Sequence, residues 1–121
     1  MDKDKKTLPD IDHLSDDECR EYLATLSKGL AHTARIEIIR KLANTDRETR
    51  CICSDIVKIL PLAQSSVSQH LKVLKDAGWI EDKSEGINVC YCLKDGVMDY
   101  YETLIRRCVQ KEEGLQLSRK G

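Results

Sequence analysis

Apolar residues along this chain recur with two different periods. In "LSDDECREYLATLSKGL", Cys19, Tyr22, Leu23, Leu26 and Leu30 return at helical spacing, which predicts one buried face of a helix. Ser15 stands at its start with Glu18 three residues on, the pattern of a capping box, and Gly29 ends or bends it. "HTARIEIIRKLANTD" reads as a second helix, with Thr33 as its cap and a stripe of Ile36, Ile39 and Leu42 flanked by Ile38 and Ala43. "RETRCIC" has no helical period and reads as a brief strand. "SDIVKILPL" reads as a short helix, capped by Ser54 or Asp55 and stopped by Pro61, which has no N–H to continue the ladder. "AQSSVSQHLKVLKDAGW" is a stronger helix: Val67, Leu71, Leu74 and Ala77 share a face, and Gly78 sits where a left-handed terminal residue is expected. The period then changes to two. In "WIEDKSEGINVCYCL", Val89, Tyr91 and Leu93 alternate with Cys90 and Cys92, so Ile80–Lys83 and Val89–Leu93 read as a hairpin around "SEGIN". Val97, Tyr101, Leu104, Ile105, Cys108 and Val109 give the last helix its apolar stripe.

Two helices joined by the tight "PLAQ" turn form a helix-turn-helix. The full order, α-α-(short β)-α-α-β-β-α, is that of a mainly helical winged helix-turn-helix with a small β-hairpin wing. Residues 1–13 read as a mobile polar arm, 14–113 as the domain with its terminal dimerisation helices, and 114–121 as a polar tail. The 121 residues suit one domain with a modest core. Phe is absent and aromatics make up 4%, so that core is aliphatic. The net charge of -1 announces no polyanion partner, so any nucleic-acid argument rests on where the charges lie. The start of the chain has no apolar signal core and no run is long enough for a membrane span, which points to the cytoplasm and no membrane partner. Thiols stay reduced there, so six cysteines suggest metal, metalloid or redox chemistry rather than a disulfide framework. No pattern of paired carboxylates, Ser-His-Asp residues or a phosphate loop suggests an enzyme.

At "AQSSVSQHLKVLKDAGWI" the sequence resembles the ArsR/SmtB family of metal-responsive bacterial repressors. "LSKGLAHTARIEIIRKL" resembles the start of that family's second helix, and "SEGINVCYCL" its wing; the resemblance covers roughly residues 20–110. It implies a homodimer that sits on double-stranded operator DNA and leaves when an inducer binds. Two departures stand out. Cadmium- and arsenic-sensing members place C-x-C directly before the Asp that opens the third helix, whereas here Ser54 intervenes. An ungapped count back from His70 puts Ile52 and Ser54, not Cys51 and Cys53, on the family's thiol positions. The zinc-sensing ligands of the last helix are also missing, because no histidine lies in 94–113.

The helix after the turn should enter the major groove. Gln64, Ser65, Ser66, Ser68, Gln69 and His70 form its polar face, and Gln and Ser suit base edges. Lys72, Lys75 and, from the wing, Lys83 extend toward phosphates, with Arg47 and Arg50 as further candidates. The same Ser and Gln residues would also serve to solvate an exposed helix; their place between an HTH turn and a wing favours DNA. His70 is left open between a DNA contact and a packing role. Cys51, Cys53, Cys90 and Cys92 are the candidate metal ligands. Thiolates suit As(III) first, and Sb(III), Cd(II) or Zn(II). One C-x-C supplies two sulfurs, whereas a trivalent metalloid takes three and tetrahedral zinc four. Pairing "RCIC" with the last wing strand would bring the two pairs together. The rival readings are a redox or reactive-sulfur sensor of the same fold, and a DNA-binding module with structural zinc. Cys19 and Cys108, on helical apolar stripes, read as small buried hydrophobes.

Overall fold

A computed structural model describes residues 8–44, 64–85 and 88–110. Within these the chain forms a 3-10 turn at Ile11–His13, then α1 (Asp16–Gly29), α2 (Thr33–Ala43), α3 (Gln64–Ala77), β1 (Ile80–Glu85), β2 (Asn88–Leu93) and α4 (Val97–Val109). The strand read in "RETRCIC" and the short helix read in "SDIVKILPL" lie outside the described residues.

Local chemistry sets the helix ends. The Ser15 hydroxyl accepts from the Glu18 N–H at 3.1 Å, and the Glu18 carboxylate accepts from the Ser15 N–H at 2.9 Å, completing the capping box. The start of α2 differs from the sequence reading. Its cap is His32, not Thr33: His32 Nδ1 accepts from the Ala34 N–H at 3.0 Å. A ring nitrogen two bonds beyond Cβ reaches the same orphan donor that a hydroxyl would satisfy. At the end of α3, Trp79 N–H bonds the Leu74 carbonyl and Gly78 N–H that of Lys75, a Schellman arrangement with Gly78 at φ 104°.

The wing is a two-stranded antiparallel hairpin with Ile80 opposite Leu93, Asp82 opposite Tyr91 and Lys83 opposite Cys90. Both strands run further toward the tip than the alternation alone indicated. Ile80, Tyr91 and Leu93 share one face and pack on the core. That core is built from Leu26, Ile38, Ile39, Leu42, Val67, Leu71, Leu74, Trp79, Val97 and Leu104.

The end of α1 shows why the chain closes here. Its last carbonyls lack partners within the helix. Trp79 Nε1 donates to the Leu26 carbonyl at 2.7 Å, and Arg35 Nε to that of Gly29 at 2.9 Å. The Leu30 and Ala31 N–H groups serve Ser27 and Lys28. Helix α4 runs back along α1, with the Tyr101 hydroxyl 2.7 Å from Ser27 Oγ and Arg107 bonded to the Ile11 and Leu14 carbonyls and to Asp16. Residues 8–13, the end of the polar arm, contact the domain. Leu8 and Ile11 pack on the core, and the Tyr100 hydroxyl donates to the Pro9 carbonyl at 2.7 Å.

Candidate DNA interface and thiol site

The seven-residue rhythm of α3 separates two faces. Val67, Leu71 and Leu74 are buried, whereas Ser65, Ser68, Gln69 and Lys72 are exposed and together line one shallow surface concavity. Positions 65, 68, 69 and 72 lie on one side of a helix by geometry alone. This strip carries hydroxyl and amide groups suited to base edges, with an ammonium at its far end. Lys72 Nζ also reaches Asp76 at 3.1 Å, and Lys75 reaches Asp82 of β1 at 2.9 Å. Exposed pairs of this kind are weak and yield readily to a phosphate. Ser66 is half-buried, and the side chains of Gln64 and Lys83 lie outside the described residues.

His70 turns away from the strip. Its Nδ1 lies 3.2 Å from Arg35 Nη1, and its ring is 4.6 Å from that of His32. Burial, then the nearby His32 and Arg35, hold its imidazole below the ordinary histidine range. The structure thus gives His70 a packing contact. The sequence reading gave neither Arg35 nor His32 a contact with His70, since side chains that meet across two helices leave no periodic trace in either.

On β2, Cys90 is 6% and Cys92 0% exposed, on the strand face opposite Tyr91 and Leu93. Both are disulfide-bonded, whereas Cys19 and Cys108 are free thiols. Cys51 and Cys53 lie outside the described residues. Among the described residues no group of three or more His, Cys, Asp or Glu side chains forms a metal site, and no helix is long and apolar enough to cross a membrane.

The model of the bacterial regulatory protein ArsR family matches residues 32–82, from the α2 cap into β1. An HTH-type transcriptional regulator of Methanocaldococcus jannaschii is 31% identical over 80 residues, covering 65% of this chain and 86% of that protein. The chain belongs to the ArsR family. This ArsR-family chain is also 38% identical over 68 residues to the arsenical resistance operon repressor of Bacillus subtilis, covering 56% of this chain. It is 39% identical over 78 residues to the HTH-type transcriptional repressor SmtB of Mycobacterium tuberculosis, covering 64% of this chain. It spans 62% and 55% of the lengths of those two repressors. Among solved structures, an ArsR-like transcriptional regulator from a Rhodococcus species superposes with a TM-score of 0.63 at 19% identity, covering 73% of this chain and 79% of that one. The homodimeric winged helix-turn-helix DNA-binding domain of a possible ArsR-family regulator from Mycobacterium bovis superposes at 0.59 with 21% identity, covering 90% and 97%. The fold is therefore the winged helix-turn-helix read from the order of elements.

Proposed function

We propose that this protein is a homodimeric, cytoplasmic transcriptional repressor. It reads double-stranded operator DNA with α3 and releases it when a thiophilic metal or metalloid, arsenite first and otherwise Sb(III), Cd(II) or Zn(II), is bound by Cys51, Cys53, Cys90 and Cys92. The observation that carries this reading is the pair of buried cysteines on the wing strand, close in sequence to an exposed Ser/Gln strip. Cys90 and Cys92 lie on one strand face, about 6.6 Å apart along the backbone, near the upper limit for bridging one another. In this reading Cys51 and Cys53 supply the other two sulfurs, whereas Cys19 and Cys108 are free thiols. The named activities of the two repressors support the same direction. An inducer held between the approach to the reading helix and the wing acts through its unequal affinity for the free and DNA-bound shapes.

The test uses a duplex enriched from random sequence by the protein itself. The reduced protein on that duplex is titrated with arsenite, antimonite, cadmium and zinc while DNA anisotropy and thiolate absorption are followed together. Release in step with thiolate absorption is expected for arsenite; continued binding at saturating arsenite would sink the proposal. A second reading follows from the disulfide-bonded state of Cys90 and Cys92. If release follows a hydroperoxide or a polysulfide instead, and is reversed by dithiothreitol, the thiols act as a redox switch. In either case Ser68→Ala/Gln69→Ala is expected to weaken binding to the enriched duplex by about tenfold or more while leaving the circular dichroism unchanged, since base contacts are worth about 1–3 kcal/mol each. Unaltered affinity would remove the strip from the interface.

The proposed dimer seam is the outer stripe of α4. Val97 and Leu104, part of the stripe read from sequence, are buried within the subunit's own core. What faces outward is Met98, Ile105 and Val109, at 47%, 38% and 69% exposure. Self-pairing of such a stripe buries it twice in one two-fold contact. Ile105→Glu is expected to give monomers by light scattering and to weaken DNA binding. A dimer of normal affinity would place the seam elsewhere.

A further inference from the structure

We propose that His32, Arg35 and His70 form an acid-sensitive latch that positions helix α3, engaged only while both imidazoles are neutral. Arginine has donors and no acceptor. Its guanidinium lies 3.2 Å from His70 Nδ1, so that nitrogen presents a lone pair and the ring proton sits on Nε2. His32 is constrained the same way, because its Nδ1 accepts from the Ala34 N–H at 3.0 Å. Two rings with centroids 4.6 Å apart are thus both held through unprotonated Nδ1 atoms. A proton on either atom turns an acceptor into a donor facing a donor. It also adds a positive charge beside Arg35.

Arg35 is itself fixed. Its Nε donates to the Gly29 carbonyl at 2.9 Å and its Nη2 to that of Lys28 at 3.4 Å, both at the end of α1. Through one guanidinium, α1 and α2 therefore grip a single side chain of α3. Around His70, α2 and its cap contribute Arg35 and His32, and α1 contributes these two carbonyls. From β1, Asp82 is engaged by Lys75, further along α3. Among the described residues no carboxylate is bonded to either imidazole, so nothing there stabilises an imidazolium. Loss of the latch on protonation agrees with the direction in which burial and these neighbours move the His70 imidazole. The sign follows. A histidine whose folded value lies below the ordinary 6.5 contributes its stabilisation in full above that pH, and loses it as pH falls from there through the folded value.

The test needs no DNA, so its failure would leave the repressor reading standing. Imidazole nitrogen resonances and amide-exchange protection of α3 are followed from about pH 8 to about pH 5, the range in which histidine changes charge. His32 and His70 are expected as Nε2–H tautomers at the upper end. Protection of the Leu71 and Leu74 amides should fall by about tenfold across the His70 titration, a change of about 1.4 kcal/mol. His70→Gln keeps an acceptor for Arg35 and does not titrate, so it should remove the fall; His32→Asn keeps the cap and should reduce it. An Nδ1–H tautomer at His70 in the unaltered protein would overturn the latch, whatever the stability of the variants. So would a His70→Gln protein that retains the full acid-dependent loss.

Discussion

Trp79→Ala is expected to leave little folded protein at physiological temperature. Trp79 is 1% exposed; its Nε1 caps the Leu26 carbonyl at 2.7 Å and its ring lies 5.2 Å from that of Tyr101. Truncating a buried aromatic to alanine costs about 3–5 kcal/mol. An uncapped buried carbonyl adds roughly 1–3 kcal/mol. Small domains hold only about 5–15 kcal/mol in total. Trp79→Phe keeps most of the packing and loses the donor, so it should fall between the two in urea unfolding followed by circular dichroism. Gly29→Ala attacks the same contact from the other side. A Cβ there would stand 2.8 Å from Cδ1 of the buried Trp79 and 3.2 Å from Ala77 Cβ, so the indole must shift. Overpacking of this kind costs about 1–3 kcal/mol. An unfolding midpoint for Trp79→Ala equal to that of the parent would show that Trp79 does not hold the fold together.

The second large effect concerns induction. The double variant Cys90→Ser/Cys92→Ser is expected to stay on DNA at arsenite concentrations that strip the parent. Two sulfurs do not saturate a trivalent metalloid, and each lost ligand should cost more than about tenfold in affinity, the equivalent of about 1.4 kcal/mol. Cys51→Ser and Cys53→Ser should behave alike, whereas Cys19→Ser and Cys108→Ser should respond as the parent does. Because Cys92 is fully buried, each variant needs a circular dichroism check before release is compared. Release of the double variant at the parent's arsenite concentration would show that the wing thiols are not ligands.

Much of the fold could be read from the sequence where a local rule had a single outcome. Ser15 with Glu18 could make a capping box, Gly78 could take the left-handed position, and the alternation through Tyr91 and Leu93 could place them on one face. The misses share a physical cause. His32 displaced Thr33 as a cap through a ring nitrogen that the usual capping residues do not have, and Arg35 found His70 across 35 positions of sequence. Periodicity along one helix carries no trace of such pairs. In α4, the stripe read as one surface is really two: Val97 and Leu104 serve the subunit's own core, and Ile105 and Val109 face away. A repeat of three and four cannot tell inward from outward when both faces are apolar. Trp79, central to the core, stood just before the strand read as Ile80–Lys83 and was given no role, because its partners lie on distant helices. Of the candidate site, the exposed strip of α3 was legible from its spacing. The turning of His70 away from it was not.

The clasp between α1 and α4 also sets an order of events. The partners that hold α1 are supplied late: Trp79 reaches back 53 positions, Tyr101 74, and Arg107 more than 90. On a ribosome adding about 5–20 residues per second, Leu26 waits several seconds with its carbonyl uncapped before Trp79 exists. Arg107 follows later still. Until then the face of α1 carrying Leu23, Leu26 and Cys19 lacks the cover that α4 supplies through Val97, Tyr101 and Leu104, which makes the nascent chain a client for whatever shields apolar segments in the cell. A stall or truncation before residue 97 would strand α1 in that state, so such fragments should be cleared by proteolysis rather than persist as competing DNA binders.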